Sequence, residues 1–269
     1  MAWPALNAIG GSFTDSSFLG EAGEFIGVDN YAAILGSDRT PQVGWRTVVW
    51  TAGSLAGQII IGLAAAVALE RVRRAAVIRG ILLLPYAVPA VTLALMWRWM
   101  FNDGTGIVTS GLQALSLVPP GSTPLGSADA ALWVVIAANV WHGFPFAMLI
   151  YWAALKQIDP AFYEAARLDG AGEAKAFWHI TLPLLRNATV TLLVLRGIWT
   201  ATSFDLVWLT TGGGPAGSTY TWPIWIYEEA VGFFRPGRAS ALAVLLGLAI
   251  IIVLVIFRRS VRRSLASEE

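Results

Sequence analysis

The chain of 269 residues has no cysteine, two histidines and little charge. Each shortage excludes a class of chemistry. Without cysteine there are no disulfides, no Cys-ligated zinc and no thiol nucleophile, and the redox compartment stays undetermined. His142 and His179 supply almost no material for a histidine metal site or a Ser-His-Asp triad, so no metal site is expected and catalysis has few candidates. Only 13% of the residues are charged, against about 25% in an ordinary soluble domain. Hydrophobic residues make up 56%. A globule of this composition cannot cover its surface with polar groups, so lipid is the expected solvent. The net charge of +1 suggests neither a nucleic-acid surface nor an acidic ligand. Lys156 and Lys175 are the only lysines, and neither follows a G-x-x-x-x-G pattern. P-loop binding of ATP is therefore excluded for this chain.

What the sequence does have is long apolar runs. Residues 47–69, 81–101, 130–155, 188–209 and 239–257 are each long enough to cross a hydrocarbon core, which takes roughly 20 helical residues. A chain in lipid must satisfy its backbone hydrogen bonds internally, and these runs lack the alternation of barrel strands. The expectation is an all-helical, polytopic transmembrane bundle with five visible spans. Lysine and arginine set its orientation. Twelve of them (Arg71, Arg73, Arg74, Arg79, Lys156, Arg167, Lys175, Arg186, Arg258, Arg259, Arg262 and Arg263) fall on one side, and four (Arg39, Arg46, Arg235 and Arg238) on the other. The richer side is expected to be cytoplasmic, with the C-terminus inside. Trp45, Trp50, Trp97, Trp99, Trp133, Trp152 and Trp208 lie near span ends and read mainly as an interfacial belt. A minority are candidates for stacking on a sugar ring.

One polar loop, residues 156–187, carries most of the functional information. Asp159-Pro160 is a helix start: aspartate caps, and proline occupies the first turn, where its missing N–H costs nothing. Residues 161–168 are strong helix formers. Asp169-Gly170 ends them, glycine entering the left-handed C-cap conformation cheaply. A second short helix is expected over about 172–178, ending before Leu182-Pro183. Small Ala165 and Ala166 allow a partner to approach closely. The shape is that of a docking element, with an ordinary surface loop as the equally open alternative at this point.

Glu164-Ala165-Ala166, Asp169-Gly170-Ala171, Phe177, Ile180, Leu182 and Pro183 closely resemble the EAA loop of binding-protein-dependent ABC importer permeases. Residues 84–89 (LPYAVP), 97–101 (WRWMF) and 209–215 (LTTGGGP) resemble the carbohydrate branch of that family, the maltose and glycerol-phosphate types. So do 12–15 (SFTD) and 27–31 (GVDNY). The resemblance implies a type I ABC importer permease fold and a coupling helix seated in a cytoplasmic ATPase. It also implies a second homologous permease, two ATPase subunits and an extracytoplasmic solute-binding protein. ATP and magnesium would belong to the ATPase, leaving this chain without a cofactor. The implied location is a bacterial or archaeal cytoplasmic membrane. Permeases of this type usually carry a helix before the SFTD-like stretch. Residues 1–44 are therefore expected to be an extracytoplasmic segment after a first helix, and 45–269 the transmembrane domain.

Polar groups within apolar runs are the candidate pathway residues: Arg196 and Asp205 in 188–209, Asn139 and His142 in 130–155, and Trp199 as a stacking ring. Nine residues apart on one helix, Arg196 and Asp205 would point to opposite faces. Each would line the pathway or pair with the companion permease, while Asn139 and His142 also fit local helix–helix hydrogen bonding. Pro85, Pro89 and Pro145 are expected to kink their spans. A self-contained secondary transporter is the alternative function, although Asp205 is the only carboxylate well inside a span.

Overall fold

The computed structural model describes residues 2–16, 23–70, 72 and 75–265, without the side chains of 2, 4, 5 and 257–265. Arg71, Arg73 and Arg74 lie outside the described residues, as do the side chains of the C-terminal arginines. Helices α1 (Ala2–Gly11) and α2 (Asp29–Leu35) precede the long α3 (Arg39–Glu70). Next come α4 (Ala75–Leu82), α5 (Leu84–Ala87), α6 (Ala90–Met100), α7 (Ile107–Ala114) and α8 (Ala131–Leu155). The polar loop holds α9 (Pro160–Leu168), α10 (Glu173–Ala176), a π-turn (Phe177–Thr181) and α11 (Leu182–Leu184). After it come α12 (Arg186–Ala201), α13 (Asp205–Thr211), α14 (Trp222–Tyr227), a second π-turn (Glu228–Gly232) and α15 (Pro236–Leu265). Among the described residues the only β-pairing is the single bridge Thr14–Phe25. The all-helical expectation holds.

Among the described residues, α3, α8 and α15 are each long and apolar enough to cross a membrane, and there are up to five spans if each of two bent pairs is one. The bends refine two expected segments. Residues 81–101 break at Val88-Pro89, where the two helical stretches meet at 90°. Pro89 has no N–H to donate and forces the residue before it out of the helical region, and Val88 is extended at ψ 123°. Pro145, by contrast, sits inside an uninterrupted α8.

The run 188–209 is not one helix. It stops at Ala201, where Thr202 Oγ1 bonds back to the Ile198 carbonyl at 2.9 Å and a bend follows before α13. Sixteen residues of α12 span about 24 Å at 1.5 Å per residue, short of the roughly 30 Å core. The stretch Glu173–Leu184 before it joins α12 at a bend of 57°. Asp205 accordingly sits at the exposed start of α13, and the opposite-face relation to Arg196 does not apply.

α3 and α8 form the central pair. Gly53 and Gly57 are four residues apart on α3, with Gly62 further along, and they let the two backbones approach closely. A Cβ built on Gly57 would stand 2.5 Å from Val140 Cγ2, and one on Gly62 2.6 Å from Ala147 Cβ. α12 lies across this pair: Trp50 Nε1 donates to the Thr200 carbonyl at 2.9 Å. Trp50 is thus fully buried in the core, not in a belt, whereas Trp45, Trp99 and Trp133 are exposed as expected. A ring at that level needs a partner for its N–H, and the end of α12 supplies one.

At the other face, α1, α2 and α14 pack on α15. There Arg39 pairs with Glu228 at 3.1 Å, and the Tyr220 hydroxyl donates to the same carboxylate. Burial and that carboxylate push the Tyr220 hydroxyl well above its usual pKa, keeping it a donor.

Candidate functional site

Two features of the structure are candidate functional elements, the polar loop and a buried polar cluster between spans. In the loop, Asp159 Oδ1 accepts from the Ala161 N–H at 2.9 Å, capping α9 as its sequence predicts. The far end is a Schellman cap. The Gly170 N–H donates to the Arg167 carbonyl at 3.1 Å and the Ala171 N–H to that of Ala166 at 2.8 Å, with Gly170 left-handed at φ +76°. The next helical stretch does not stop before Leu182-Pro183. It runs from Glu173 to Leu184, because a π-turn over Phe177–Thr181 carries it into Pro183.

None of the nine residues of α9 is buried. Glu164, Ala165, Asp169, Gly170 and Pro183 are exposed, Ala166, Ala171 and Phe177 partly so, and Leu168 is 90% exposed. A helix this short is marginal alone in water, and exposed Phe162, Leu168 and Trp178 form apolar surface around it. The loop is nonetheless tied to the bundle. Tyr163 on α9 hydrogen-bonds Thr181 in the π-turn at 2.9 Å. Four residues on, Leu185 is fully buried with Met148 and Tyr151 of α8. Tyr151 in turn bonds Thr189 of α12 at 2.9 Å. α9 is therefore joined to α8 and α12 through hydrogen bonds and packing. Neither Tyr163 nor Thr181 is legible as a linker in sequence, since each looks ordinary on its own helix.

The second feature lies where α3, α8 and α12 meet. Arg196 is only 7% exposed. Its Nε donates to Gln58 Oε1 at 2.8 Å, and Gln58 Nε2 donates to the Asn139 carbonyl at 3.0 Å. Gly143 makes room for the guanidinium: a Cβ there would stand 2.2 Å from Arg196 Nη2. Beside it runs a row of rings. His142 Nδ1 lies 3.0 Å from the Pro85 carbonyl, and its ring stacks on Tyr86 at 5.6 Å. Tyr86 stacks on Phe146 at 5.8 Å, Phe146 meets Trp199 at 5.7 Å, and Arg196 lies over Trp199 at 5.8 Å.

The structure thus brings Arg196, Asn139, His142 and Trp199 together and leaves Asp205 out. Sequence reasoning missed Gln58, Tyr86, Gly143 and Phe146. The signal for Gln58 was available, an amide in the middle of an apolar run. Gln58→Leu is expected to cost about 1.5–3 kcal/mol, the worth of a hydrogen bond to a charged group. It would also strand a buried guanidinium. Thermal unfolding of the detergent-solubilised protein checks this, and an unchanged midpoint would count against the network.

Comparison with known proteins shows the family and the fold of the whole chain. A family model described as binding-protein-dependent transport system inner membrane component matches residues 58–266. The inner membrane ABC transporter permease protein YcjO of Escherichia coli (strain K12) is 32% identical over 267 residues, covering 97% of this chain and 88% of that one. The trehalose/maltose transport system permease protein MalF of Thermococcus litoralis is 35% identical over 206 residues, 76% of this chain and 69% of its own. In fold, the chain is similar to a subunit of a bacterial ABC transporter involved in import of the acidic polysaccharide alginate. The TM-score is 0.83 at 22% identity, over 97% of this chain and 90% of that one.

Proposed function

The chain belongs to the binding-protein-dependent transport system inner membrane component family, and from that premise we propose that it forms half of the pathway of a sugar importer driven by a separate ATPase. The observation that carries the coupling role is α9: a capped helix with no buried residue, fastened through Tyr163–Thr181 and Leu185 to two spans. An element built this way needs a partner to cover it, and a cytoplasmic ATPase fits. Closure of the ATPase dimer on ATP would push on Glu164–Ala166 and Asp169–Ala171. Phe177 and Pro183 would carry the displacement into α12 and turn the pathway outward, and hydrolysis would reset it. ATP and magnesium are assigned to the ATPase, and this chain performs no bond chemistry.

The partners follow from the same reading: a second, similar permease, two ATPase subunits and an extracytoplasmic binding protein. The membrane would be a bacterial or archaeal cytoplasmic one, with the polar loop and C-terminus inside. Asn139, His142, Arg196 and Trp199 are assigned to the pathway, and a sugar or sugar-like solute suits a site with exposed ring faces. The name of the Thermococcus relative, a trehalose/maltose transport system permease protein, agrees with that solute class. The rival reading, a secondary transporter, is left with Asp205, an exposed carboxylate at a helix start.

The test is reconstitution of the chain in liposomes, alone and with the other subunits. ATP hydrolysis stimulated by solute-loaded binding protein is expected only in the full complex. Uptake by the lone chain driven by a proton or sodium gradient would refute the importer reading.

A further inference from the structure

Resting on the pathway assignment above, we infer that the solute received at the Arg196 site carries an oxyanion: a carboxylate, sulfate or phosphate group on a saccharide or polyol. The inference begins with an unbalanced charge. A cation within a membrane span faces the bundle interior or a water-filled cavity and takes a partner there. Arg196 has no carboxylate partner among the described residues. Its one hydrogen bond there uses Nε and goes to the neutral amide of Gln58. Both Nη groups are left over. The second donor is Asn139, 6% exposed, whose Nδ2 is buried without an acceptor. Asn139 and Gly143 are one helical turn apart and share a face of α8, and Gly143 is where Arg196 Nη2 comes to rest. Asn139 and the resting place of Arg196 Nη2 therefore lie on the same side of α8, with Asn139 Nδ2 itself enclosed, and among the described residues no carboxylate answers either donor.

A site in this state is complementary to an acceptor that carries charge. Sugar hydroxyls donate as readily as they accept, so a neutral solute would leave the guanidinium uncompensated. Carboxylate, sulfate and phosphate accept from both Nη groups at once, matching the planar fork of arginine. The ring row supplies the other half of the recognition. Trp199 is 49% and Tyr86 38% exposed, and their faces suit the C–H face of a sugar or polyol skeleton held by its charged end.

The experiment uses the complete importer, with companion permease and ATPases, purified without its binding protein. Equilibrium binding is measured for glucuronate, glucose 6-sulfate and glucose 6-phosphate against glucose. At least one acidic member is expected to bind ten or more times tighter than glucose. That advantage should vanish in Arg196→Gln and survive largely in Arg196→Lys. The inference is overturned if glucose binds as well as every acidic probe, or if Arg196→Gln keeps the preference. It is equally overturned if Arg196→Gln loses the companion permease on size exclusion while Arg196→Lys retains it, because the charge then pairs with a companion carboxylate. The importer reading fails separately, through absence of hydrolysis stimulated by solute-loaded binding protein in the wild-type complex.

Discussion

Gly62→Leu is expected to separate α3 from α8 and to yield little folded protein. The Cβ of any residue at position 62 would lie 2.6 Å from Ala147 Cβ and 2.9 Å from the Met148 amide nitrogen. Two of those neighbours are fixed, one a methyl on the helix and one the backbone itself, so no rotamer change relieves the clash. Overpacking a well-filled core costs about 1–3 kcal/mol, and here the whole helix pair must move as well. The result would be loss of the Trp50–Thr200 and Arg196–Gln58 bonds together, since both depend on the depth at which α3 sits. Gly247→Ala is the matched control, because a Cβ at that position meets nothing within 4 Å. Fluorescence-monitored unfolding in detergent should show a large drop for Gly62→Leu and almost none for Gly247→Ala. Equal stability of the two variants would mean that the close approach is not what holds α3 to α8.

Gly170→Ile should act in a different way, on coupling and not on folding. Position 170 has open space around it, so nothing is displaced by a side chain. The cost is torsional. A residue at φ +76° with a Cβ loses about 1–2 kcal/mol in the left-handed region, and β-branching makes it worse. The Schellman bonds to Arg167 and Ala166 would open, and α10 would leave α9 in a new direction. Membrane insertion and the α3–α8 core are remote from this turn. The reconstituted complex should keep hydrolysing ATP while solute uptake falls at least tenfold. Full uptake would show that the loop is not the coupling element.

The two variants mark the boundary between what residues say alone and what they say in contact. Gly170 was readable in advance, because Asp169-Gly170 after a run of helix formers is a local torsional signal. The Asp159-Pro160 start and the bend at Pro89 were readable for the same reason. Gly62 was not, since a glycine in an apolar helix looks the same whether it faces lipid or a neighbouring backbone. The end of α12 at Ala201 was also hidden. Hydropathy runs on through Thr202 and Ser203 to residue 209, so a polarity average does not register the break between α12 and α13.

By itself the sequence determined residence in a membrane, the number of apolar segments, the polar loop and its caps, and, through the residues of that loop, the family. Those properties depend on hydrophobicity and on preferences within a few neighbours along the chain. Tertiary structure alone decided that Gln58 and Arg196, 138 residues apart, share a hydrogen bond. It also decided that Trp50 is core and that Asp205 stands outside the buried cluster. A charge in an apolar run announces only that it needs a partner. Which partner it finds depends on how three helices cross, and that is set by side chains packing across the whole bundle.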